Sequence, residues 1–212
     1  MATAVPQFPQ PTPTCPEPAW EVALLFPSQG KWSEADYFAL DTNHFVELVD
    51  GKLEVLPMPT FSHQFIVSYL YDVLGSYVKR HKLGRALFAP LPTRIRLNTI
   101  REPDLMYFSV ARLKKMRGKY PTGADLVMEV VSEGAEAQNR DYKDKRRDYA
   151  QLGISEYWIV DPKTERITVL ALKGKQYRTH GEFAPGEEAT SVLLSGFATD
   201  VREVFAAGRR LS

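Results

Sequence analysis

The sequence predicts an α/β or α+β fold in which a mixed β-sheet has a helix on each side. Residues 62–81 carry apolar side chains at helical spacing, and residues 139–152 form a second, highly charged helical segment. Short runs of β-branched and aromatic residues surround these two segments and are typical of strands. At 212 residues, with 44% hydrophobic and 25% charged residues, the chain is long enough for one good-sized core.

The first elements are justified by local signals. Ser33 can cap a short helix, because an acidic residue follows it three positions later. Asp50-Gly51 supplies the positive φ angles of a two-residue turn, so the flanking strands form a hairpin. Gly84 provides a left-handed cap for the long helix. In order, these elements are a helix from Ser33 to near Leu40, strands 45–49 and 52–56, and the helix 62–81.

The later elements follow from apolar runs and turn residues. Prolines interrupt the first of these strands, and a glycine follows the charged helix. In order, they are a strand 86–97 broken by Pro90 and Pro92, a strand 103–108, a basic helix 111–119, a strand 125–132, the helix 139–152, strands 155–161, 166–172 and 176–183, and a short helix ending near Ala207.

Composition narrows the class of protein. The formal net charge is +1, so an anionic partner would need a local patch, and DNA binding is neither supported nor excluded. The single cysteine, Cys15, rules out a disulfide within the chain. Because no apolar run reaches the length of a membrane span and no secretory signal is visible, we expect a cytoplasmic protein without membrane contact.

Domain organisation follows from the distribution of proline. Prolines recur every few residues up to Pro18, which removes backbone donors and favours extended conformations. We expect a disordered tail over residues 1–20 and a single domain over residues 21–212. Its core should span about residues 45–162, with a β-rich extension over residues 163–207.

Two acidic residues lie on strand-like, apolar segments, where a charge is costly unless it is compensated. Asp104 begins one segment and Glu129 lies near the end of another, so antiparallel pairing makes them neighbours. Two such carboxylates form an oxygen-rich site suited to Mg²⁺ or Mn²⁺, and the main-chain carbonyl of Val130 adds a third oxygen. Alternatively, the acids bond strand ends or pair with arginine.

The hairpin contains a further acidic pair. Its register places Glu47 opposite Glu54, and two adjacent carboxylates repel each other unless something relieves them. Solvent, a metal or a basic group would each do so. These interpretations of Glu47 stay open.

At this point the residues match a known family. The order and spacing of several short segments resemble the PD-(D/E)XK nuclease superfamily and, within it, the Uma-type restriction endonuclease family. The matched segments are Glu-Leu-Val-Asp-Gly at 47–51, Ser62-His63, Pro103-Asp104-Leu105, Glu129-Val130-Val131-Ser132, Asp141 with Lys145 and Tyr149, and Gly153-Ile154 leading to 156–162.

The resemblance implies a restriction-endonuclease-like mixed sheet with flanking helices, in which Asp104 and Glu129 bind the metal. The chain departs from the superfamily pattern at Val131, where a lysine usually orients the attacking water. Lys145 is the best substitute, because Asp141, Lys145 and Tyr149 lie four residues apart on one helical face. Lys143 is the second choice. A solvated charge run is the alternative interpretation of this segment.

The resemblance adds two further site residues. Glu47 resembles the acidic residue that many members of the superfamily bring from an early element to bind a metal or hold a metal-bound water. His63 would contact water or phosphate if it turns into the same cleft. A histidine with satisfied hydrogen bonds at a helix start is the alternative interpretation of His63.

Together these residues predict an Mg²⁺- or Mn²⁺-dependent endonuclease that hydrolyses phosphodiester bonds in DNA. Basic residues before and after the Asp104 strand are two candidate tracks for phosphates. The alternative is a catalytically inactive nuclease-fold domain that binds nucleic acid or a protein partner. A homodimer is expected because a double-strand cut takes two active sites. The two tracks are Arg94, Arg96 and Arg101, and Arg112, Lys114, Lys115, Arg117 and Lys119.

Overall fold

The computed structural model describes residues 26–40 and 45–209. The tail predicted over residues 1–20, including Cys15, lies outside these described residues. Within the described ranges, no helix is both long enough and apolar enough to cross a lipid bilayer. The proposed domain boundaries stay a prediction.

Helices and strands are distributed along the whole described chain. The helices are α1 Glu34–Ala39, α2 Phe61–Arg80, α3 Val110–Lys115, α4 Ala135–Asn139, the π-helix Arg140–Lys145, α5 Arg146–Leu152 and α6 Val201–Gly208. The strands are β1 Val46–Val49, β2 Lys52–Val55, β3 Gly84–Phe88, β4 Thr93–Arg96, β5 Thr99–Arg101, β6 Leu105–Ser109, β7 Leu126–Val130, β8 Glu156–Asp161, β9 Arg166–Lys173, β10 Gln176–Phe183, β11 Glu188–Thr190 and β12 Ala198–Asp200.

The largest sheet has six strands in the order β10-β9-β8-β7-β6-β3. Its β7–β8 pair is parallel and its other pairs are antiparallel. Helices α2 and α6 cover one face, where Leu70 and Phe205 belong to the same apolar cluster as Trp158. The opposite face packs against α5, where Tyr149 contacts Tyr157 edge to face. The predicted mixed sheet with a helix on each side is therefore confirmed.

A second sheet has four strands in the order β2-β1-β5-β4. The prediction of one interrupted strand over residues 86–97 is wrong, because β3 joins the six-stranded sheet and β4 joins the four-stranded one. Pro90 and Pro92 lie between them and have no N–H to continue a ladder. The four-stranded sheet matters for function because it carries Glu47 and Arg101 to the site.

The predicted hairpin is confirmed in its register. Glu47 lies opposite Glu54, and the turn residues Asp50 and Gly51 have φ angles of 50° and 74°. The predicted cap of the first helix is also present, since the Ser33 hydroxyl accepts from the Asp36 N–H at 3.1 Å. Both features were predicted from a few neighbouring residues, and the structure has them as predicted.

The long helix is confirmed, but the predicted role of Gly84 as its left-handed cap is wrong. Lys82 adopts the left-handed conformation instead, with φ of 56°. Gly84 begins β3 with φ of 152°, and a Cβ built there would lie 1.9 Å from the carbonyl oxygen of Phe108. Glycine is required here by the close approach of β6.

We therefore expect Gly84→Ala to lower the free energy of unfolding by about 3 kcal/mol, because the new methyl group would force β3 away from β6. Gly75→Ala is the matched control. It lies inside α2, and outside that stretch of helix no atom lies within 4 Å of the position that its new methyl group would take, so it should raise stability by about 0.5 kcal/mol. Urea denaturation of both variants measures this, and equal stabilities would contradict the interpretation.

The segment predicted as one helix over residues 139–152 changes its winding. Helix α4 passes into the π-helix, and α5 continues from it to Gly153, which caps the end with φ of 83°. A π-helix has i→i+5 hydrogen bonds, and such stretches are frequent at functional sites. Asp141 and Lys145 are both buried within it.

Candidate active site

Asp104 stands immediately before β6, beside the end of β7. Its Oδ2 atom accepts a hydrogen bond from the Val130 N–H at 2.8 Å. The Nε2 atom of His63, from the first turn of α2, lies 3.3 Å from that oxygen and 3.0 Å from the Val130 carbonyl oxygen. The antiparallel register of β6 and β7 thus produces the predicted neighbourhood of Asp104 and the Glu129-Val130 pair.

Glu129 projects from β7 toward the π-helix and α5, and is only 2% exposed. Its Oε1 accepts a hydrogen bond from the Tyr149 hydroxyl at 2.5 Å, and its Oε2 lies 2.9 Å from Lys145 Nζ. Tyr149 and Lys145 therefore fix both carboxylate oxygens.

Lys145 reaches the site from the π-helix. Its ammonium also lies 3.6 Å from Asp141 Oδ1 and 3.7 Å from Glu47 Oε1. Lys143, two residues earlier on the same helix, is exposed. The structure thus brings Lys145, and not Lys143, beside Glu129.

Glu47 lies opposite this group on the four-stranded sheet and is fully buried. Its Oε2 pairs with Arg101 Nη1 at 2.8 Å, and its Oε1 accepts from the Glu102 N–H at 2.9 Å. Arg101 also bonds Glu54 at 3.0 Å, so a basic group relieves the carboxylate pair of the hairpin. The predicted role of Glu47 as a metal ligand stays a prediction.

Burial opposes the charged form of every carboxylate in the site, and nearby cations outweigh it for Asp104 and Glu47, whose pKa values are lowered, but not for Glu129 and Asp141. Burial, with the nearby charges of Asp104 and Asp141, raises the pKa of Glu129 to about 8. Burial also raises the pKa of Asp141, whose Oδ1 has no hydrogen-bond partner. Carboxylates with raised pKa values gain from an added cation, since it stabilises their ionised form.

For the two basic groups of the site, nearby carboxylates outweigh burial and favour the charged form. Burial opposes the charged form of Lys145, but Glu129 and Glu47 outweigh it and raise the lysine's pKa. Burial likewise opposes the charged form of His63, but the hydrogen bond and charge of Asp104 raise its pKa. Lys145 is therefore an ammonium at neutral pH.

A narrow cleft of about 70 Å³ opens onto these groups. Carboxylates and the carbonyl of Val130 are ligands that Mg²⁺ and Mn²⁺ prefer. The Asp141 oxygen that accepts no hydrogen bond and the raised pKa of Glu129 both fit an added cation. Within the described ranges, no group of three or more His, Cys, Asp or Glu side chains is already gathered around one metal position. The cleft is lined by Phe45, Leu56, Pro57, Pro59, His63, Gln64, Ala89, Glu102, Asp104, Glu129, Val130, Ser132, Arg140, Asp141 and Lys145.

Comparison with known proteins identifies the family. A family model named Uma2 and described as "Putative restriction endonuclease" matches residues 34–202. The chain belongs to the Uma2 family. In fold it is similar to the crystal structure of a putative nuclease belonging to DUF820 from Anabaena variabilis, with a TM-score of 0.68 at 20% identity, covering 83% of this chain and 98% of that one. No curated protein matches the chain.

In this Uma2 chain, the position two residues after the strand glutamate has a structural role. Val131 is 6% exposed and belongs to the apolar cluster that contains Tyr149 and Ile154. A lysine there would have to place its charge among these groups. The ammonium beside Glu129 comes from the facing helix instead.

The first predicted phosphate track of the Uma2 chain is wrong at Arg101, and its other two members also pair with acids. Arg101 is fully buried and pairs with Glu47 and Asp148. Arg96 bridges Asp148 and Asp50 at 2.8 and 2.9 Å. Arg94 is half-exposed and pairs with Glu34. These arginines hold elements together, because each has a carboxylate within hydrogen-bond distance.

The second track lies at the far end of β6 from Asp104, and not beside the carboxylates as predicted. Helix α3 follows the last residue of β6, whereas Asp104 precedes its first residue. A strand of five residues separates the two by about 17 Å. Adjacency in sequence to the Asp104 segment therefore does not place these cations beside the carboxylates.

For two residues, the structure shows a property that the sequence did not predict. Asp141 belongs to the matched segments, and its four-residue spacing from Lys145 was its signal, but only the structure shows that its buried Oδ1 accepts no hydrogen bond. Arg101 was grouped with solvent-facing cations. Its position in the three-residue strand β5 gave no pattern from which burial could be predicted.

Proposed function

We propose that this protein is an Mg²⁺- or Mn²⁺-dependent endonuclease that hydrolyses phosphodiester bonds in DNA. The observation that carries the proposal is the Lys145 ammonium, 2.9 Å from Glu129, in the same cleft as Asp104. Family membership supports the reaction class. The predicted homodimer stays a prediction.

Asp104 and Glu129 would hold the metal, with the Val130 carbonyl as a third oxygen ligand and Asp141 close by. When bound, such a metal lowers the pKa of a water molecule and stabilises charge on a phosphate. The Val130 N–H and His63 orient the Asp104 carboxylate, and Tyr149 orients that of Glu129. These contacts preorganise the oxygen ligands before any substrate arrives.

Lys145 acts as a hydrogen-bond donor and not as a base. Its raised pKa keeps the proton on Nζ at neutral pH, so it has no lone pair with which to accept one. An ammonium in a buried cleft orients a water molecule and stabilises the negative charge that develops on phosphate oxygens. In the superfamily pattern this role belongs to a lysine at the position that Val131 occupies here.

The test is cleavage of supercoiled plasmid by the purified full-length chain in Mn²⁺, in Mg²⁺ and in chelator. We expect nicking or linearisation with either metal and none in chelator. Lys145→Met should slow cleavage by about a hundredfold to a thousandfold, the usual effect of removing one preorganised donor. Lys143→Met, on the same helix but exposed, should stay within about twofold of wild type.

Because Lys145→Met leaves buried carboxylates without their cation, thermal unfolding is recorded for each variant. Lys145→Arg keeps the charge and should keep the fold with part of the activity. Equal loss in Lys143→Met and Lys145→Met would contradict the assigned role. A folded wild-type protein that binds DNA but cuts none with either metal would favour the inactive binding domain.

A further inference from the structure

A second cavity, of about 520 Å³, opens at the opposite end of β3 from the cleft. Lys79, Lys82, Arg85 and Lys114 line it, and we call these four residues the basic cluster. They come from α2, the turn after it, β3 and α3. No acidic residue lines this cavity.

The cations of the basic cluster are exposed, and none pairs with an acid in the part of the chain that the structure describes. Lys79 and Lys114 lie in the last turns of helices, where the helix dipole favours a positive charge. That effect does not extend to Arg85, which lies on a strand, or to Lys82, which lies beyond the end of α2. Like charges around one concave surface repel each other, and an anion relieves this repulsion.

Strand β3 connects the basic cluster to the cleft. Ala89, directly after β3, lines the cleft with Asp104, whereas Arg85 near the start of β3 lines the second cavity. Ala89 follows Arg85 by four residues, so the two lie about 14 Å apart at the rise of a β-strand. Strand β3 is an edge of the six-stranded sheet, and its residues include no acid. At about 3.4 Å per step, this distance corresponds to about four base pairs of duplex DNA.

We propose that the basic cluster binds backbone phosphates of duplex DNA about four base pairs from the bond that is cleaved. This inference rests on the proposed function and extends it to the form of the substrate. Phosphate contacts of this kind supply affinity and orientation without reading sequence.

The exposed apolar residues Leu87 and Phe88 on the same strand suggest a different occupant, a second copy of the chain. Pairing two copies along β3 would bring two basic clusters close together without a counter-charge. The unpartnered cations therefore favour a nucleic acid over a second copy.

The test is fluorescence anisotropy of a labelled duplex with the full-length protein in chelator, where binding does not depend on cleavage. The variant K82Q/R85Q/K114Q removes three cations. We expect its affinity to fall about tenfold to hundredfold and its dependence of log K on log salt to flatten by about 2.7, which is about 0.9 for each lost phosphate contact. In Mn²⁺, its KM should rise with kcat unchanged.

The matched control is K173Q/K175Q/R178Q, which removes three exposed cations near β10, the opposite edge of the same sheet. It should bind duplex like wild type. Equal affinity of the two variants would overturn the inference, as would failure of wild type to bind duplex. A change of mass by light scattering without loss of duplex affinity would also overturn it and favour the second copy. Salt-dependent binding that the K82Q/R85Q/K114Q variant weakens, without cleavage by wild type, would support duplex binding by the basic cluster while contradicting the proposed function.

Discussion

Asp104→Asn should lower DNA cleavage by at least about a thousandfold while leaving the fold intact. The substitution keeps the size of the side chain and an oxygen that can accept from the Val130 N–H, so β6 and β7 stay paired. It removes one of the two carboxylates proposed to hold the metal. Losing several kcal/mol of transition-state stabilisation corresponds to a rate effect of about this size.

Two measurements on Asp104→Asn distinguish loss of metal binding from loss of the fold. Calorimetric titration with Mn²⁺ in the absence of DNA should show loss of metal affinity, and thermal unfolding should remain near that of wild type. Asp72→Asn, an exposed aspartate on α2, is the matched control and should leave both unchanged. If Asp104→Asn cuts plasmid at the wild-type rate, the assignment of the metal site is wrong.

Arg101→Met should lower the free energy of unfolding by about 3 to 5 kcal/mol, the usual effect of removing one partner from a buried ion pair. Arg101 is fully buried and bonds Glu47 at 2.8 Å and Asp148 at 2.9 Å. Both acids are themselves inaccessible to solvent, so each would lose a charged partner that water cannot replace. The four-stranded sheet would also lose one of its two arginine contacts with Asp148 on α5, the other being that of Arg96.

Arg94→Met tests whether burial is the cause of the large loss of stability expected for Arg101→Met. Arg94 pairs with Glu34 at 2.7 Å, but its side chain is 45% exposed, so its loss should lower stability by no more than about 1 kcal/mol. Urea denaturation of both variants supplies the comparison. Similar losses for Arg94→Met and Arg101→Met would show that burial of the Arg101 network does not set its contribution.

Local signals predict most of the architecture. The Ser33 cap, the Asp50-Gly51 turn and the helix over residues 62–81 depend on residues that are neighbours in sequence, and the structure confirms them. The pairing of Asp104 with the Glu129 segment follows from strand direction alone. The mixed sheet with a helix on each side is a consequence of these elements.

Long-range packing is what the sequence does not reveal. Whether an arginine is buried depends on which carboxylates meet it, so Arg101 could not be distinguished from the exposed Arg94 by composition or spacing. The split of residues 86–97 between two sheets depends on where β5 pairs, and β5 has only three residues. Likewise, the distance of α3 from the carboxylates is a property of strand direction and length, not of sequence adjacency.

Because Lys145 lies on the π-helix, the proposed site is complete only when that helix packs against the sheet. In the superfamily pattern, a lysine two residues after the glutamate shares its strand, so the strand itself sets their separation. Here Lys145 follows Glu129 by 16 residues and meets it only when the π-helix packs on the sheet. A chain whose sheet has formed but whose π-helix has not docked keeps both acids and lacks the ammonium. The proposed nuclease activity would therefore require the π-helix to be docked on the sheet.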